Sequence, residues 1–288
     1  MSNHKKGYVF ALIATLLMAV VFVLGKVALA KLTPQFFVAW TFSIAALPLG
    51  IWSLIDGSWK EIPRCRREDW WPVVGFGLFS IIALYLIWLG VQHLDPTVAG
   101  FISRVQVLMA VFLGVVFLKE RFGRGEIIGS LVLIAGLVII RFSFGVSMDK
   151  WFWVMVTGGL FFGAAEALAK RAVQGMSPVP LNFIRASIVG LFFLAVIIYE
   201  GQSPWEFKGM FWYVAGVGIG GSLFARHFFL HAIRHIEISK AMLVRQVQPL
   251  FVFGIAYITL GMIPTLREWM GGILILVGCA VMIGGRRK

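Results

Sequence analysis

Apolar residues run along this chain in stretches of membrane length, separated by short polar breaks. Ten such stretches lie near 8 to 30, 35 to 55, 70 to 92, 96 to 118, 124 to 142, 151 to 174, 180 to 199, 210 to 233, 238 to 260 and 267 to 285. Crossing about 30 Å of hydrocarbon takes about 20 residues of α-helix, so each stretch is a predicted transmembrane helix. Little chain is left for a soluble domain. The first stretch is longer than a signal core and merges into Thr33-Pro34 rather than a small-residue cleavage site, so it reads as the first span.

The pattern repeats. Residues 84 to 140 recur at 226 to 282 with a constant shift of 142, which pairs His93 with His235, Ala99 with Ala241, Gln106 with Gln248, Glu126 with Glu268, Gly129 with Gly271 and Gly136 with Gly278. The first two spans of each half need a shift of 144, which puts Lys26 on Lys170 and Pro34 on Pro178. Each unit crosses the bilayer an odd number of times, so its copy faces the other way, related by a pseudo-two-fold axis in the membrane plane. The expected architecture is therefore an all-α integral membrane fold of ten transmembrane helices in two inverted five-helix repeats. The repeats run over 1–143 and 151–288, with Phe144 to Lys150 as the linker. Alternating-access transporters commonly use such symmetry.

Composition agrees with this. A chain of 288 residues that is 60% hydrophobic is too apolar for a soluble domain. The net charge of +13 is mostly topological: Lys5, Lys6, Lys60, Arg64, Arg66, Arg67, Lys119, Arg121, Arg124, Lys170, Arg171, Arg234, Lys240 and Arg286 to Lys288 fall on one side of a ten-span arrangement. The positive-inside bias then puts both termini in the cytoplasm of an inner-membrane, multi-pass protein. The expected partners are the lipid bilayer and a small-molecule substrate, with no nucleic acid, and the assembly is a monomer or homodimer. Two cysteines, Cys65 and Cys279, are placed for neither a metal site nor an obligatory disulfide, so no cofactor is expected.

The stretch Phe117-Leu-Lys-Glu-Arg-Phe122, followed by Ile127-Ile-Gly129 and Leu133-Ile-Ala-Gly136, resembles the end-of-span signature of the EamA family in the drug/metabolite transporter superfamily. The resemblance covers essentially the whole chain and implies a ten-span, five-plus-five inverted repeat that works by alternating access. There are departures from internal symmetry. Gly261-Met-Ile-Pro264 stands where the first copy has Lys119-Glu120-Arg121, and Thr41 stands where the second half has Arg185, an arginine often seen in the family's second span.

Ionisable side chains inside spans are costly unless they face protein or water, so each is a candidate for function. Arg104 and Arg245 lie about two turns inside the fourth and ninth spans, where guanidinium groups can grip a carboxylate or phosphate bidentately. Gln106, Gln246 and Gln248 follow them as orienting amides. The eighth span adds Arg226, His227 and His231, while Tyr85 and Trp88 make the matching wall of the first half aromatic. Without a third ligand, the histidines do not make a metal site. Glu166 and Lys170, four apart in the sixth span, suit an internal ion pair with a coupling or gating role. Pairing with a helix end or a neighbouring acid is expected for Arg185, and Lys26 is expected to snorkel.

Within the spans cations outnumber the single carboxylate, Glu166, so the cavity should be electropositive. That points to export or exchange of a small anionic or carboxylate-bearing metabolite. Alternatives are an amino-acid exporter, cationic drug efflux and a lipid-phosphate flippase. A membrane enzyme is not expected, since no nucleophile, base and orienter stand at recognisable spacing.

Overall fold

The computed structural model describes residues 3–109, 112–113, 124–142, 149–236, 241 and 244–284. The Phe117 to Phe122 signature and most of the expected linker lie outside the described residues. The helices are α1 (Asn3–Leu29), α2 (Pro34–Ile55), α3 (Arg67–His93), α4 (Pro96–Ile102), α5 (Arg124–Arg141), α6 (Asp149–Gly175), α7 (Pro178–Tyr199), α8 (Phe211–Val217), α9 (Arg226–His235), α10 (Gln248–Leu260) and α11 (Leu266–Gly284). Five of them, α1, α2, α3, α6 and α7, are long and apolar enough to cross a membrane; α5 and α10 carry shorter apolar stretches. The protein is a multi-pass all-helical membrane fold.

Several helices start where local chemistry requires it. Thr33 caps α2, its hydroxyl accepting from the Phe36 amide at 3.4 Å, and Asp95 caps α4, its carboxylate accepting from the Thr97 amide at 2.7 Å. In both cases proline follows in the first turn, where its missing N–H costs nothing. The end of α3 is closed differently. Lys26 donates to the carbonyls of Val91, Gln92 and Leu94 at 2.9–3.0 Å, so the lysine expected to snorkel instead caps a neighbouring helix C-terminus. Gln92 reciprocates, its amide donating to Leu29 and Leu32 at the end of α1.

Packing follows the small residues, as helix association in lipid requires. A Cβ on Gly136 would stand 2.6 Å from the Gly271 carbonyl oxygen, and one on Gly278 would stand 2.6 Å from that of Gly129. Gly129 and Gly271 are repeat mates, as are Gly136 and Gly278, so the shift of 142 exchanges these two contacts and α5 crosses α11 antiparallel. The glycine run of the eighth span packs on the first half: Gly221 meets Val21, and Gly218 meets Thr41 and Ile44.

Among the described residues, the stretches expected as spans four, eight and nine depart from regular α-helix. After α4 comes a 3-10 turn at Ser103–Val105, and its repeat equivalent, residues 245–247, carries the turn that precedes α10. Between α8 and α9 the chain is wound as a π-helix over Gly218–Ala225.

Gly136→Leu is expected to push α5 from α11, because the atoms it would strike include the Gly271 carbonyl and the Ile275 amide at 2.8 Å, which are backbone and cannot rotate away. A loss of about 1–3 kcal/mol is expected from overpacking, read as a lower unfolding temperature in detergent. Gly254→Ala, in open space, should cost nothing measurable.

Candidate functional site

The two breaks explain where the first expected anchor goes. Pro249 has no N–H, so the carbonyl four residues back, that of Arg245, loses its helical donor. Arg104 replaces it: its Nη1 donates to the Arg245 carbonyl at 2.9 Å. Its other nitrogens donate to the Gly100 carbonyl at 3.2 Å, the Ser103 hydroxyl at 3.1 Å and the Gln248 side-chain oxygen at 3.3 Å. Arg104 is 1% exposed and tied to neutral acceptors around the meeting of spans four and nine. It does not line the central cavity.

A different guanidinium cluster does. Glu166, on α6 and fully buried, accepts through Oε1 from Arg226 Nη1 at 2.6 Å and Arg245 Nη1 at 3.0 Å. The expected Glu166–Lys170 pair is therefore not the one formed. The two arginines take the carboxylate and leave Lys170 half-buried one turn away. Arg226 is held between the rings of Phe76 at 4.7 Å and Phe229 at 5.7 Å, and Arg245 lies 4.5 Å from Phe229. Rings of this kind stabilise a desolvated cation through their quadrupoles.

Arg185, on α7, completes the group. Its Nε donates to the Ser80 hydroxyl at 2.9 Å, and its guanidinium lies 5.0 Å from both Phe42 and Phe76. The acid or helix end expected to pair with it is absent: among the described residues no carboxylate reaches it. Sequence reasoning passed over it as a site residue because its nearest polar partner, Ser80, lies 105 positions away along the chain.

Arg185, Arg226 and Arg245 face one cavity, of about 50 Å³, with room for a few waters. Its wall is divided by repeat. The second half supplies all three guanidinium groups, and the first supplies Met18, Val21, Phe42, Leu84 and Trp88. Two mismatched repeat pairs meet there, Thr41 with Arg185 and Leu84 with Arg226. The π-helix matters here, since Gly221, Ser222 and Ala225 form part of the wall and the Ser222 carbonyl accepts from Asn182 at 2.8 Å. Such π segments often mark functional places in helices. Several polar atoms at the site are buried and unpartnered: Arg226 Nε and Nη2, and Glu166 Oε2.

The remaining expected residues separate. Trp88 reaches the cavity, packed against Phe37 at 4.8 Å and Phe22 at 5.7 Å. Tyr85 turns away to stack on Phe193 at 6.1 Å. Gln106, Gln246 and Gln248 are buried near the broken helices, outside the cavity lining. The rings of His227 and His231 meet at a tilt, 4.4 Å apart, and His227 also packs on Trp52 at 4.5 Å. Among the described residues, no group of three potential metal ligands occurs.

The fold has solved counterparts. A crystal structure described only as that of a protein matches 98% of this chain and 98% of its own, with a TM-score of 0.71 at 18% identity. The EamA-like transporter family matches twice, over residues 5–142 and 149–284. The chain belongs to that family. Its relatives include the uncharacterized transporter sll1164 of Synechocystis, 24% identical over 80% of this chain and 71% of the relative. The uncharacterized transporter YyaM of Bacillus subtilis is 19% identical over 98% and 95%. In part the likeness extends to the uncharacterized inner membrane transporter YhbE of Escherichia coli, 27% identical over 49% and 44%. This EamA protein is thus a membrane transporter, and its cavity is where its chemistry is concentrated.

Two substitutions probe how the site is held. Glu166→Gln leaves two buried guanidinium groups without a counter-charge and should cost about 3–5 kcal/mol, read by thermal unfolding. Arg104→Met should cost about 1–3 kcal/mol by orphaning the Arg245 carbonyl, and less in a Pro249→Ala background, where an N–H is restored. Equal costs in the two backgrounds would show that Arg104 does not serve that carbonyl.

Proposed function

We propose that this EamA-family protein moves a small anionic, carboxylate-bearing metabolite across the inner membrane, as an exporter or exchanger, by alternating access. The reading takes the chain as ten spans in two inverted five-helix repeats with both termini cytoplasmic, rocking about a fixed central site. One observation carries it: three guanidinium groups face the cavity and a single carboxylate offsets them. A low-dielectric, electropositive cavity attracts an anion and repels a cation, so cationic drug efflux is disfavoured.

In this reading Arg226 and Arg245 grip the carboxylate, and Trp88 and Leu84 receive the carbon skeleton. Arg104, Gln106, Gln246 and Gln248 shape the broken helices that frame the site. Glu166 occupies the two arginines until a substrate anion competes for them, which gives it a gating role. Lys170, His227 and His231 lie on the same two helices and serve coupling or gating rather than binding, and Tyr85 is a packing residue.

The test is uptake of organic acids into proteoliposomes carrying the purified protein. Arg226→Ala and Arg245→Ala should each lower it at least ~10-fold, the size of effect expected when a charge-assisted contact is lost. If folded variants of both kinds move organic acids at the wild-type rate, the anion site is elsewhere.

A further inference from the structure

Counting charge around the cavity sharpens the substrate class. Arg226 and Arg245 share one oxygen of Glu166, so together with that carboxylate they carry one surplus positive charge. Arg185 adds a second, since it is held by a hydroxyl and two rings and by no carboxylate among the described residues. Burial makes this surplus expensive. Arg185 is 4% exposed and Arg226 7%, so water cannot screen them well.

The donors are also placed for two anionic groups. Arg185 uses only Nε, and its two terminal nitrogens have no hydrogen-bond partner among the described residues although the side chain lines the cavity. Arg226 spends Nη1 on Glu166 and leaves Nε and Nη2 buried and unpartnered. Both guanidinium groups rest on the same Phe76 ring, at 5.0 Å and 4.7 Å, so one short molecule can reach both. Leu84 and Trp88 line the same cavity and offer apolar surface for the bonds between the two anionic ends.

Resting on the anion site described under the proposed function, we infer that the substrate is a small organic dianion. One anionic group is taken by Arg226 and the other by Arg185, which thereby sets the charge number the transporter selects. A monoanion leaves one buried guanidinium without a counter-charge, and a zwitterion brings a cation into a cavity that already has a surplus. A dicarboxylate and a phosphate monoester share the required charge.

The experiment is a titration of the detergent-purified full-length protein with succinate, glycerol phosphate, butyrate and leucine, following the unfolding temperature. Either dianion should give the same upward shift at ~10-fold lower concentration than butyrate or leucine, since a ligand bound only by the folded state adds stability that rises with the logarithm of its concentration over Kd. Whether succinate or glycerol phosphate leads tells the carboxylate form of the dianion from the phosphate form. Arg185→Gln should weaken the dianion ~10-fold and butyrate less than ~2-fold, a change in selectivity that a purely structural role would not produce. If that variant does not fold, the wild-type ratio alone decides. Butyrate or leucine matching the dianions would overturn the charge-number assignment and leave the anion site standing. Failure of every acid to shift unfolding would overturn both.

Discussion

One carboxylate oxygen organises the interior of this transporter. Glu166 Oε1 accepts from Arg226 and Arg245, and through these bonds α6 holds α9 and the ninth span at fixed distances around the cavity. In a low-dielectric interior the approach of two guanidinium groups is costly unless an anion offsets their repulsion. A single oxygen is enough to permit the approach and too little to neutralise it. The aromatic rings of Phe76 and Phe229 take up part of the remaining charge, and the cavity takes the rest.

A second constraint is the backbone itself. Polar groups of the main chain cannot be left open in hydrocarbon, so every irregular turn inside a span needs a donor brought from elsewhere. Arg104 supplies it at the proline of span nine, Asn182 beside the π-helix, and Lys26 with Gln92 at the ends of α3 and α1. Much of the polarity within the spans therefore serves architecture. What is left over for a ligand is the small set of atoms that no carbonyl or carboxylate has claimed.

Symmetry and chemistry divide between the two halves. The Gly129–Gly278 and Gly136–Gly271 contacts exchange under the repeat shift, because close backbone approach depends only on the absence of a side chain. The cavity does not obey that exchange. Its guanidinium groups all come from the second half, while both halves supply its apolar wall, so the cavity is asymmetric where the scaffold is symmetric.

The amino-acid sequence by itself determined the helical membrane class, the family and the repeat register. These follow from local length, composition and periodicity. It also indicated which residues carry charge inside spans, including Glu166, Arg226 and Arg245. Only the tertiary structure decided their partners. Glu166 and Lys170 share a helix face at a spacing that favours pairing, yet the carboxylate turns to arginines 60 and 79 positions away, which bind it more tightly in the absence of water. The surroundings of Arg104 and Arg185 were likewise decided in three dimensions. One lies beside a carbonyl freed by a proline on another helix, and the other beside an open cavity, and neither neighbour is legible from spacing along the chain.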